Sequence, residues 1–503
     1  MAESWRARWK TLPVIIALVG AGKGLSFLRE AFVASQLGAS ASSDGYYLAL
    51  AMPTLVYSLG ALPFSMWVTA RLSALRGLHA SQQAASFYSR VVMLGFGAGA
   101  VLALALAATA HIVVSLYAPG LDPARLDEAA SLTRIGALAI PALALQAICN
   151  GRLYADGRFL PVYVWLVISS IVGLGVVVVS TPHYGAAAAV WAFVAAAWTS
   201  IVGPIAMTRP TLMSPTAGTA PDWVEDLGVS VVYRALVMQV YFQACVMLTY
   251  GFGSTLPTGE LAASQFGSKV QNAMYESLVV TAGAFVYPQI AHFLQKSDYA
   301  AARRTIVQAL NWLLPATAAL VVLLITCRRE IVALIYERHA FDDRAAQLVG
   351  AALLGFAPGM IGLTLVEIFH RTMVLRGQLK GYVLVFGGAL AVNWLCNHLL
   401  VPRLGVFGLT LSSSLSALVG GIGLLAYASR RLGVMDRQML LLIIRTAIAT
   451  GLALAAVTLL HGTMGIGASS LAELVTVAVS GVAVGLIVLV ALLALGHRWQ
   501  LVS

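Results

Sequence analysis

Charge is what this 503-residue sequence has least of. Asp, Glu, Lys and Arg make up 10% of it and hydrophobic residues 60%, whereas a soluble chain carries about 25% charged residues. A water-soluble globular domain is excluded. Acidic side chains are the scarcer sign, 20 against 31 basic ones. The cations fall in alternate loops, so the net charge of +11 reads as membrane topology and not as nucleic-acid binding. Cysteine is sparse too. Cys149, Cys245, Cys327 and Cys396 lack metal or disulfide spacing and read as small hydrophobes. No glycine-rich loop ending in Lys-Ser/Thr is present to cradle a nucleotide phosphate. Glu367 and His370 share a helical face, but without further ligands they read as a polar helix end beside Arg371. The expectation is therefore a protein that is not an enzyme and uses no cofactor or metal.

Apolar windows long enough to cross a ~30 Å hydrocarbon core recur about fourteen times. Loops after even-numbered windows hold Arg71, Arg76 and Arg90, then Arg152 and Arg158, Arg209, then Lys296, Arg303 and Arg304, then Arg371, Arg376 and Lys380, and finally Arg430, Arg431 and Arg437. Loops after odd windows are poor in Lys and Arg; 327–344 is rich in both signs and balances. This alternation predicts cytoplasmic termini. The basic start Trp5-Arg-Ala-Arg-Trp-Lys10 and the long window after it predict an uncleaved first span.

A repeat with an offset of roughly 220 residues pairs Leu116-Tyr117 with Ile335-Tyr336, Pro141 with Pro358, Arg152 with Arg371, Gly157 with Gly377, Gly185 with Gly405, and Ala51-Met52 with Ala273-Met274. The expected fold is an all-α polytopic membrane protein of about fourteen transmembrane helices. Two six-helix lobes would be related by a pseudo-two-fold axis along the membrane normal, with two further helices at the C-terminus. The expected divisions are an N-lobe at 1–207, a Pro/Thr/Gly/Ser-rich linker at 208–222, a C-lobe at 223–429 and a helix pair at 430–503.

Lys23 stands inside the first span, where a charge costs about 2.5–3.5 kcal/mol. Helical geometry places Glu30 on the same face as Lys23 and Arg29 about 120° away. Such a face predicts a cavity rather than lipid. The second span is interrupted by Pro53, Gly60 and Pro63, which are candidate hinges or helix breaks.

The run Lys23-Gly-Leu-Ser-Phe-Leu-Arg29-Glu30, followed by Gly38-Ala39, Asp44-Gly-Tyr-Tyr and Met52-Pro53, resembles the opening of the MurJ (MviN) lipid II flippases. These belong to the multidrug/oligosaccharidyl-lipid/polysaccharide exporter superfamily. Lys23 replaces an Arg of the family pattern and Glu30 an Asp. The resemblance implies a flippase of the bacterial cytoplasmic (inner) membrane whose cargo is a lipid-linked diphosphate saccharide. Membrane lipids surround it and cell-envelope biosynthesis proteins are its expected partners. It implies substrate-binding roles for Lys23, Arg29, Glu30, Asp44 and Lys269, the last aligning with an Arg of the family.

The departures are specific. The family has basic residues in the second span after Leu-Pro-Asn; here Pro53 is followed by Thr54-Leu-Val-Tyr57-Ser58-Leu-Gly60-Ala61 without charge. That leans toward a different glycan on the same carrier, such as an exopolysaccharide repeat unit, with Tyr57 and Trp67 as sugar-stacking or core aromatics. A drug or cation antiporter of the superfamily is the other alternative; it would want acidic groups, of which Glu30 is the main one. Some family members bind sodium through carboxylates that here read Asn397 and Cys245. No sodium site is expected, and Asn393 with Asn397 read as an interhelical hydrogen-bonding pair.

Overall fold

A computed structural model describes residues 2–212, 222–375, 379–432, 437–463, 479–480, 483–488 and 490. Every element among them is helical, as a lipid-embedded backbone requires when water cannot satisfy its polar groups. Packing divides the chain into two compact units, Met1–Gly259 and Glu260–Ser503.

The first unit holds α1 (Ala2–Leu37), α2 (Ala41–Val56), α3 (Leu62–Gly77), α4 (Ser81–Tyr117), α5 (Pro123–Ala137), α6 (Ile140–Ala155), α7 (Leu160–Leu212) and α8 (Asp222–Gly253). A π-helical turn, Tyr57–Ala61, joins α2 to α3. The second unit holds α9 (Glu260–Tyr275), α10 (Thr281–Gln295), α11 (Tyr299–Thr326), α12 (Arg328–Tyr336), α13 (Asp343–Phe356), α14 (Gly359–Leu375), α15 (Leu379–Leu432) and α16 (Arg437–Thr463). There a π-helical turn, Glu276–Val280, joins α9 to α10. Among the described residues eight helical stretches, some of them joining two of these helices, are long and apolar enough to cross a membrane, and the count reaches nine if α13 and α14, bent by 49°, form one span. α7 and α15 are each broken once and carry two crossings apiece, in keeping with the fourteen-helix expectation. Residues 213–221, most of the expected linker, lie outside the described residues, as does most of the expected last helix.

The duplication is visible in backbone detail. α7 breaks at Gly185 (φ 54°, ψ −138°) and α15 at Gly405 (φ 56°, ψ −136°), a conformation open to glycine because it has no Cβ. Asp122 caps α5 by accepting from the Arg125 N–H, and Asp342 caps α13 from the Ala345 N–H. Tyr117 donates its hydroxyl to the Leu48 carbonyl, and Tyr336 donates to the Phe266 carbonyl. The π-turns occupy matching places and share Ser-Leu at their second and third positions. Measured from them, Ala51-Met52 and Ala273-Met274 fall three residues out of register and do not belong to the repeat.

Candidate functional site

α1 presents two polar faces. One packs on α7: Gly22 lies against Leu166 and Val167, Ser26 Oγ is 3.4 Å from Ser170 Oγ, and the Arg29 stem lies beside Gly173. The small residues let the helices approach closely. The other face carries Lys23 and Glu30. Lys23 is exposed, and no atom lies within 4 Å of a Cβ placed on Gly20 or on the adjoining Gly24. This stretch of α1 borders open space.

Seven residues on, the same face is closed. Glu30 is 4% exposed. It accepts from Arg29 Nη2 at 2.8 Å, Tyr46 Oη at 3.3 Å and Tyr47 Oη at 3.0 Å. The carboxylate thus neutralises Arg29 and ties α1 to the start of α2. Charge-assisted bonds of this kind are the stronger class. Arg29 Nε is also buried and finds no acceptor among the described residues, so the guanidinium keeps one spare donor. Asp44, 1% exposed, accepts from Arg125 Nη2 at 2.9 Å and from the Gly259 backbone N–H at 2.8 Å. It joins α2, α5 and the segment after α8. The structure therefore brings Arg29 and Glu30 together, places Asp44 in a separate ion pair, and leaves Lys23 exposed.

Lys269 lies half-buried on α9 in the second unit. Its counterpart in the first unit, counted from the π-turns, is Leu50. The candidate breaks surround the first π-turn: Pro53 lies in α2, Gly60 within the turn, and Pro63 in the first turn of α3. Pro53 has no N–H to give the Ala49 carbonyl, and Gly136 of α5 packs against that oxygen. The second π-turn forms without proline or glycine; Thr281 Oγ1 donates to the Glu276 carbonyl at 3.0 Å instead.

Trp67 packs between Phe64 and Phe87, with Arg71 over its ring, in keeping with the core-aromatic reading. Other sequence expectations land differently. Asn397 Nδ2 donates to Asn393 Oδ1 at 2.7 Å along α15. The pair is intrahelical, because i and i+4 face each other on one helix. Glu367 and His370 are buried inside the second unit rather than at a wet helix end. Tyr46, Tyr47 and Arg125 were not singled out from sequence; the aromatic doublet just after Asp44 was the available signal. Among the described residues no three His, Cys, Asp or Glu side chains converge on one point.

A family model for the lipid II flippase MurJ matches residues 33–487. The chain belongs to the MurJ family. The Burkholderia cenocepacia lipid II flippase MurJ is 25% identical over 424 residues, covering 81% of this chain and 80% of that one. A probable lipid II flippase MurJ of Rhizobium tropici is 24% identical over 173 residues, 34% of this chain and 32% of that one. Among solved structures, MurJ in an inward closed conformation superposes with a TM-score of 0.76 at 16% identity over 94% of this chain and 97% of that one. An inward-facing multidrug resistance MATE transporter gives 0.71 at 11% identity over 83% and 98%. These likenesses establish a fold common to both. Against the MurJ pattern, Thr54 stands where Asn is expected, and its hydroxyl donates to the Leu50 and Ala51 carbonyls.

Proposed function

We propose that this multi-pass membrane protein flips an undecaprenyl-diphosphate-linked saccharide from the cytoplasmic to the outer leaflet of a bacterial inner membrane by alternating access, with both termini cytoplasmic. The family match over 33–487 carries the reading. Lys23 supports it, as an exposed cation on a helix that must lie in the membrane. So does the Arg29–Glu30 pair, whose guanidinium retains a buried donor. A diphosphate needs several donors; a lysine gives a point charge and an arginine a planar fork. In this reading Lys23 takes the diphosphate, Arg29 contributes its spare donor, Glu30 holds Arg29 in place, and Lys269 is the second unit's own candidate cation for the cargo. Asp44 acts through Arg125 rather than on the cargo. The first π-turn, which contains Gly60 and lies between Pro53 and Pro63, is the bending point. A transporter of this kind moves lipid without making or breaking covalent bonds in it.

An exopolysaccharide repeat-unit carrier is the second reading. The uncharged stretch Thr54–Ala61 favours it, because that stretch removes the second-span cations. The test is flipping in proteoliposomes with each lipid-linked saccharide. Lys23→Ala and Lys269→Ala should each lower the rate about tenfold or more, on the scale of a lost charge-assisted contact, with Lys→Arg restoring it. Unchanged flipping in both alanine variants would remove the cationic-cavity mechanism.

A further inference from the structure

A cavity of about 280 Å³ in the second unit is lined by Arg328, Arg329, Asp343, Gln347, Gly350 and Leu354, with Ala346 and Ala351 between them. It lies between the first turn of α12 and the outer length of α13. From Asp343 to Leu354 it follows α13 for about 16 Å at the helical rise, with Asp343 at one end, the Arg328 stem against Gly350 and the apolar Ala351 and Leu354 beyond. Arg328 lays its stem along Gly350 and gives one nitrogen to the Ile325 carbonyl. Arg329 and Asp343 line the same cavity, yet neither forms a hydrogen bond or ion pair with the other, or with any other described residue.

These charges are peculiar to the second unit. In the first, α4 runs unbroken to Tyr117. The positions matching Arg328, Arg329 and Asp343 are Thr109, Ala110 and Pro123. Core packing common to both copies does not account for the charged rim.

We propose that this cavity binds an aminophospholipid, with the phosphodiester on Arg329 and Arg328, the primary ammonium on Asp343, and an acyl chain along Gly350 to Leu354. Two opposite charges held apart on the two sides of one cavity match a zwitterion carrying both signs. Asp343 at one end and the apolar Ala351 and Leu354 beyond match the head and tail of an amphiphile. A purely anionic lipid satisfies the arginines but is repelled by Asp343. A quaternary choline headgroup offers that carboxylate no N–H donor. The cavity lies at the end of α11 away from the basic loop of Lys296, Arg303 and Arg304. The outer leaflet follows from the proposed orientation; the site itself does not rest on flipping.

The test uses the full-length protein in detergent, titrated with phosphatidylethanolamine, phosphatidylglycerol or phosphatidylcholine, with retained lipid read by native mass spectrometry. Phosphatidylethanolamine should be retained over the other two. Arg329→Ala and Asp343→Asn should each cut its retention about tenfold, the size of one lost charge-assisted bond. Arg329→Lys should recover most of it, and Asp343→Asn should improve phosphatidylglycerol binding. Gly350→Leu, which fills the cavity and crowds the Arg328 stem, should also block retention. Size-exclusion profiles matching wild type show that each variant is folded. Unchanged retention in folded Arg329→Ala and Gly350→Leu variants overturns the site. Loss in Arg329→Ala with none in Asp343→Asn overturns the zwitterion. Full competition by soluble glycerophosphoethanolamine overturns the lipid. Lys23→Ala should leave retention unchanged while lowering flipping, so failure of this site and failure of the flipping mechanism read out separately.

Discussion

The two units share a backbone and differ in where they bury charge. Both have a π-turn, a glycine break and a tyrosine hydroxyl bonded to the second helix of the repeat. The first spends its charges at the start of α2, where Glu30 is surrounded by Arg29, Tyr46 and Tyr47, and Asp44 by Arg125. The second has Gln265, Phe266, Ala263 and Ala345 at the places of Tyr46, Tyr47, Asp44 and Arg125. It carries its own ionic groups elsewhere: Lys269 on α9, the buried Glu367 on α14, and the rim of the α12–α13 cavity. Glu367 falls where the first unit has Ile148, a core residue packed with Val68 and Tyr88. A duplicated frame thus fixes helix ends and breaks in both copies, while polar chemistry diverges within it.

That difference is broken most severely at Arg29. Removing one member of a buried ion pair strands the other, at a cost of about 3–5 kcal/mol. Arg29→Ala should therefore destabilise the first unit by that order, with Glu30→Gln milder because one of Tyr46 and Tyr47 can still donate to the amide oxygen while the other accepts from the amide nitrogen. Lys269→Ala, at a half-buried site in the second unit, should leave stability within about 1 kcal/mol. Thermal unfolding followed by light scattering in detergent ranks the three. A Lys269→Ala loss as large as that of Arg29→Ala would end the claim that the first unit depends on its buried Arg29–Glu30 pair more than the second depends on Lys269.

The glycine breaks sharpen the comparison at the next level. Gly185→Ala and Gly405→Ala each force a Cβ into a region of positive φ, for about 1–3 kcal/mol. At Gly185 the added carbon meets nothing within 4 Å; at Gly405 it meets Glu260 Oε2 at 2.8 Å. That oxygen accepts from the Val406 N–H at 2.9 Å, so moving it weakens a bond that caps the helix after the break. Gly405→Ala should cost more than Gly185→Ala by about 1 kcal/mol, the worth of one hydrogen bond. Equal melting shifts would mean that Glu260 does not brace the second break.

Much of this frame was legible in the residues. A constant offset pairs Gly185 with Gly405, and glycine recurs there because the conformation demands it. Periodicity put Lys23 and Glu30 on one face, and the structure keeps them there. What periodicity could not show is reach. Arg29 starts about 120° from Lys23, yet its long side chain turns back to its neighbour Glu30 and leaves Lys23 exposed. Arg125 lies 81 residues from Asp44, with no local pattern to join them. The π-turns were equally hidden. Tyr-Ser-Leu-Gly-Ala and Glu-Ser-Leu-Val-Val share too little to announce a common distortion, and only the first has proline on either side. Pro53 drew attention to the right place for a reason that does not hold in the second copy.

The finest point of the comparison is the tyrosine bond shared by the units. Tyr117 Oη lies 2.7 Å from the Leu48 carbonyl, and Tyr336 Oη lies 3.1 Å from the Phe266 carbonyl. Tyr336 is fully buried and stacked on Phe341. Tyr117 has its ring 6.3 Å from that of Tyr250 and a less buried setting. A buried carbonyl that loses its donor cannot turn to water, so Tyr336→Phe should cost about 0.5–1.5 kcal/mol. Tyr117→Phe should cost the lower end of that range despite its shorter bond, because its surroundings exclude water less. The two sit in different units, and the double variant should be additive within about 0.5 kcal/mol. If Tyr117→Phe proves the more damaging, bond length outweighs burial here, and the repeated bond is not doing the same job in both copies.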